Sequence, residues 1–80
     1  MTLQQAQAAK LIASQRLRIA MCEVEIAQFE DQLADHDLIV AAGGTPLMSR
    51  EMVERLSMEP VSRKIGLETE LTSLLAATGG

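Results

Sequence analysis

The sequence predicts an all-α fold, an antiparallel two-helix hairpin, and three observations carry that expectation. First, a branched apolar residue followed by alanine recurs every seven residues, at Ile12-Ala13, Ile19-Ala20, Ile26-Ala27, Leu33-Ala34 and Val40-Ala41. Seven residues is close to two helical turns, so both columns stay in step along a helix. Second, neither Gly nor Pro occurs before Gly43, and Gly43-Gly44-Thr45-Pro46 is the strong turn signal. Third, Phe29 is the sole aromatic residue and Ala, Leu, Gln, Glu, Arg and Met dominate, which favours helix over strand.

The first helix is predicted over residues 2–42, with Thr2 as a usable N-cap. At ~1.5 Å per residue it would be roughly 60 Å long, and a rod of that length needs a partner along it. Residues 43–46 are predicted as the turn. Gly43 suits the left-handed conformation that closes a helix, and Thr45-Pro46 suits an N-cap followed by the first helical position. Ser49, just before Arg50 and Glu51, is a second candidate cap. The second helix is predicted over 46–77, kinked or split near Pro60. Val53, Leu56, Val61, Ile65, Leu67, Leu71, Leu74 and Leu75 are expected to form its apolar side. Gly66 weakens it locally, and residues 78–80 are expected to fray, so 1–80 reads as a single domain.

Heptad assignment gives the first helix two apolar edges. Position a holds Ile12, Ile19, Ile26, Leu33 and Val40, and position d the half-polar column Ala8, Gln15, Cys22, Phe29 and His36. Position b is alanine six times, at 6, 13, 20, 27, 34 and 41, flanked at position f by Leu17, Val24 and Leu38. Position e, between a and b, carries Arg16, Glu23, Glu30 and Asp37. A folded-back chain covers one edge of such a helix, so the other calls for a second subunit or another protein. Spacing alone leaves open which edge faces inward. Ile12, Ile19, Ile26, Phe29, Leu33 and Val40 are expected to carry one contact. Ala13, Leu17, Ala20, Val24, Ala27, Ala34 and Leu38 are expected to carry the other, in a dimer that forms a four-helix bundle.

Composition points the same way. Eighty residues rarely build a self-sufficient core without disulfides, a metal or a second subunit. Cys22 is the only cysteine and His36 the only histidine, which excludes an internal disulfide and leaves too few ligands for zinc. No cofactor is expected. No apolar run approaches the ~18 residues of a membrane span, and the start MTLQQAQAAK lacks the basic-then-apolar order of a secretory signal. A cytoplasmic location is the expectation. The net charge is −4, unevenly placed: Lys10, Arg16 and Arg18 come first, then a run of acids from Glu23 through Asp37. Arg50, Arg55, Arg63 and Lys64 follow, and the tail carries Glu68 and Glu70. Folding back near residue 44 would set acid against base at both ends, which selects an antiparallel hairpin.

Few residues invite chemistry. Asp35, His36 and Asp37 are adjacent on a helix and point about 100° apart, so they cannot converge on one ion or proton. Cys22, at position d with no His near it in the sequence, reads as a small buried hydrophobe. The glycine pair follows no strand and lacks a phosphate-loop pattern. No catalytic residue is assigned. Met48, Met52 and Met58 could line an adaptable docking groove. Residues 49–68 have the outline of a helix-turn-helix, with Arg63 and Lys64 where nucleic-acid contacts belong, although the surrounding acidity opposes phosphate binding. The sequence therefore predicts a non-enzymatic protein–protein interaction module of adaptor, chaperone or inhibitor type, with a larger protein as its partner. A small DNA-binding regulator is the alternative.

Overall fold

A computed structural model describes residues 2–77. Two helices make the fold, α1 over Leu3–Ala41 and α2 over Arg50–Ala77, packed side by side as a hairpin 62 Å long and 15–16 Å across. The expected frayed tail, 78–80, lies outside the described residues.

Helix α1 begins where Thr2 stops the chain from fraying. The Gln5 backbone N–H donates to Thr2 Oγ1 at 3.1 Å, and the Thr2 N–H donates back to Gln5 Oε1 at 2.9 Å. This reciprocal capping box satisfies two donors that a helix start leaves orphaned. At the other end, Gly43 takes φ +83°. Its N–H donates to the Val40 carbonyl at 3.0 Å and the Gly44 N–H to the Ile39 carbonyl at 2.8 Å, the Schellman arrangement. Gly44 eases the turn: a Cβ there would lie 3.0 Å from Ile39 Cγ2, close enough that the Ile39 side chain would have to shift by a few tenths of an ångström.

Helix α2 starts four residues later than predicted. Thr45-Pro46 does not open it; residues 42–49 form the turn. Ser49 is the cap, its hydroxyl accepting from the Met52 N–H at 3.2 Å while its carbonyl accepts from the Val53 N–H at 3.1 Å. Pro46 instead sits half-buried in the turn. The expected division at Pro60 is not present either, since α2 runs through it without interruption. Proline removes one helix hydrogen bond, but Pro60 is buried on the inner side of α2 and the helix continues through it.

The structure decides which edge of α1 faces inward. Ala8, Ile12, Gln15, Ile19, Cys22, Ile26, Phe29, Leu33 and His36 are buried or half-buried, alternating by fours and threes. These are positions a and d. The column that looked half-polar holds the most buried members, Cys22 at 2% exposure and Gln15 at 6%. Both Nε2 hydrogens of Gln15 are used: the nitrogen lies 2.6 Å from Glu70 Oε2 and 3.3 Å from the Leu67 carbonyl. On α2 the matching seam is Val53, Ser57, Pro60, Lys64, Leu67, Leu71 and Leu74, with Val61 and Leu75 beside it. Leu56 and Ile65, expected in that apolar side, are exposed. Their seam places go to Ser57 and Lys64, whose polar ends reach the edge of a contact only two helices wide.

Candidate protein-interaction surface

The hairpin leaves a long outward face on α1. Ala13, Ala20, Ala27 and Ala34 are exposed, as are Leu17, Val24 and Leu38. Leu3, at position f with Leu17, Val24 and Leu38, is exposed as well. Alternating fours and threes run along this face from Leu3 to Ala41, so it is as regular a heptad stripe as the inner seam. Of the residues expected to pair with it on the other edge, Ile12, Ile19, Ile26, Phe29 and Leu33 lie half-buried along the inner seam. Val40 is the exception: it is 53% exposed, because α2 begins only at Arg50 and the turn passes this last position.

Charge placement separates the two sides of α1. All four cations of α2 form ion pairs. Arg63 meets Glu25 at 3.1 Å and Glu59 at 2.8 Å, and Lys64 meets Glu23 at 3.5 Å. Arg50 bridges Asp37 and Glu54, and Arg55 meets Glu51 at 3.2 Å. The pairs to Glu23, Glu25 and Asp37 cross between the helices and fix their antiparallel register, each contributing little energy at an exposed site. The Arg50 guanidinium holds the Asp37 carboxyl below its ordinary range, and the Arg63 guanidinium is raised chiefly by the Glu25 charge and by its bond to Glu59. At the other end the expected pairing does not form. Lys10, Arg16 and Arg18 enter no ion pair among the described residues, and Glu70 takes a hydrogen bond from Gln15 instead. Position f turns Lys10 away from α2, whereas position e reaches α2 at Glu23 and Asp37, and Arg16 meets no carboxylate there among the described residues.

The remaining candidates do not assemble into a site. Met48, Met52 and Met58 are all exposed, and 52 and 58 lie about 120° apart around α2. Met48 lines a cleft of about 230 Å³ at the turn, with His36, Ile39, Pro46, Leu47 and Val53. The His36 Nδ1 atom is buried there without a hydrogen-bond partner, 3.5 Å from Asp37 Oδ1. A second cleft of about 280 Å³ lies between Phe29 and Pro60, rimmed by Glu25, Glu59 and Arg63. Cys22 is a free, buried thiol. The helix-turn-helix outline over 49–68 is not formed, because these residues belong to one helix and its cap, and Arg63 and Lys64 are occupied by carboxylates. Among the described residues no three His, Cys, Asp or Glu are grouped to hold a metal, and no helix is long and apolar enough to cross a membrane.

These features define an all-α hairpin with one apolar stripe closed by its own second helix and one open. No protein-family model, curated protein or solved structure matches this chain.

Proposed function

We propose that this chain is a non-enzymatic protein–protein interaction module that works through the outer stripe of α1, self-associating and presenting a helical face as a small adaptor, chaperone or inhibitor does. The observation that carries this reading is the two-sidedness of α1: one heptad stripe is used inside the hairpin, and a second, equally regular, lies exposed. Nothing in the fold requires alanine at six successive sevens on a solvent face, where glutamate or lysine would serve the helix as well. Small residues let another backbone approach closely, and the neighbouring leucines and valine supply apolar area. A cytoplasmic setting suits a module whose cysteine is a buried free thiol. DNA binding gains no support, since Arg63 and Lys64 are neutralised and the net charge is −4.

The test is capture on immobilised protein, with the chain itself and a cell extract offered as prey. Ala27→Glu places a charge in the outer stripe without touching the seam to α2. It is expected to abolish capture while far-UV helicity persists. Gln28→Glu, one residue along, is expected to capture as the parent does. Equal capture by parent and Ala27→Glu would refute the reading, as would a parent chain that retains nothing.

A further inference from the structure

Resting on that reading of the outer stripe, we propose that its occupant is the α1 of a second copy, antiparallel, in a register that sets residue i beside residue 44 − i. Three observations select this partner.

The first is order along the stripe. Position f reads Leu3, Lys10, Leu17, Val24, Asp31, Leu38, which has the same character in both directions except that a cation exchanges for an anion. Reversed on itself, the column brings Leu3 to Leu38 of the second copy, Leu17 to Val24 and Lys10 to Asp31. Each of these pairs is about three residues, or roughly 4.5 Å, apart along the axis. Position b is alanine throughout, so on that side nothing bulky holds the two backbones apart. Every alanine falls level with an f residue of the other chain, small against large in each layer.

The second is charge. Among the described residues Lys10 and Arg16, at positions f and e, have no ion-pair partner, nor do Glu30, Asp31 and Asp35. The cations lie before the centre of α1 and the anions beyond it. The antiparallel register puts Lys10 between Asp31 and Asp35 of the second copy and Arg16 beside its Glu30. A parallel pair would stack like on like. Glu23 does meet its own copy at the two-fold axis, but each Glu23 already has Lys64 at 3.5 Å. Met21, exposed at position c, meets its own copy there too.

The third is area. A globular chain of this mass exposes about 4,700 Å². The hairpin exposes 6029 Å². The excess, about 1,300 Å², comes with the rod shape and leaves room for the about 800 Å² that one partner buries in a standard interface.

The experiment is a pulsed electron-spin distance measurement on Gln7→Cys in a Cys22→Ala background, labelled at position 7. The proposed register separates the two labels by roughly 45 Å, whereas a parallel pair brings them within about 20 Å. Sedimentation equilibrium supplies a second reading with Cys22 intact. Lys10→Asp is expected to weaken dimerisation roughly tenfold. Lys10→Asp combined with Asp31→Lys is expected to recover most of that loss. A short label distance, or no recovery in the double variant, overturns the register. A monomeric parent overturns self-pairing altogether. If that monomer still captures a different protein, and Ala27→Glu loses it, the interaction-module reading stands while this proposal falls.

Discussion

Gln15 and Cys22 sit deeper than any leucine of the hairpin, and the reason is size as much as polarity. Where two helices meet with no third layer, the small thiol of Cys22 fits beneath the contact, and Gln15, as long as leucine, is held down by its two hydrogen bonds to α2. Gln15 stays because both its donors are satisfied, and a polar group so matched contributes little net energy. Gln15→Leu is therefore expected to be neutral or stabilising, and Gln15→Ala destabilising by about 1–2 kcal/mol through the lost bonds and the gap, read as urea midpoints. Val53, 3% exposed, is an ordinary core residue, and Val53→Ala should cost about 1–3 kcal/mol. The sign of the acid response follows from Asp37, whose carboxyl is lowered by Arg50. A lowered folded-state pKa gives stability that is complete above the unfolded value near 3.9 and lost as pH falls through the folded one. Asp37→Asn should remove that part of the acid-side loss, as measured by thermal midpoints against pH.

Helix ends and helix registers were legible in the sequence to different degrees. The Gly43 stop was readable because a left-handed residue after an unbroken heptad run has few other uses, and φ +83° is what it adopts. Gly43→Ala should accordingly cost about 1–2 kcal/mol. The start of α2 was misplaced because Thr45-Pro46 and Ser49-Arg50 both carry start signals, and local chemistry does not rank them. Burial of Pro46 in the turn and the Ser49 bond to Met52 do. The apolar side of α2 was half misread for a related reason. Its seam includes Ser57, Pro60 and Lys64, so hydrophobic spacing alone points to Leu56 and Ile65. Packing against the a/d edge of α1 turns Ser57, Pro60 and Lys64 inward, and the exposed ion pairs from Glu23, Glu25 and Asp37 accompany that register. Pro60 remains a local defect in an otherwise continuous helix. Pro60→Ala should return a hydrogen bond and gain about 1 kcal/mol after the lost packing, seen as a higher melting temperature.

On the scale of the whole molecule, the columns were visible from spacing, but which of them closed the hairpin was not, since both edges alternate by fours and threes. Burial decides it in three dimensions: the a/d edge packs on α2 while the b/f edge stays exposed, and Glu25, flanking the a/d edge, pairs across to Arg63. The two stripes stand about 150° apart around α1. A pair of hairpins joined through the outer stripes would then run α2, α1, α1, α2 in a nearly flat row, not the square bundle that four helices more often form. Such a row buries the alanine column and leaves both α2 outer faces free. It also separates two roles cleanly, since Ala27→Glu should break the assembly and spare the hairpin.

Molar mass by light scattering, compared for the parent chain and Ala27→Glu, tests this most directly. The parent should weigh about twice 8.7 kDa and the variant 8.7 kDa with its helicity intact. A parent that stays at 8.7 kDa over its accessible concentration range, or a variant that keeps the doubled mass, would contradict the account.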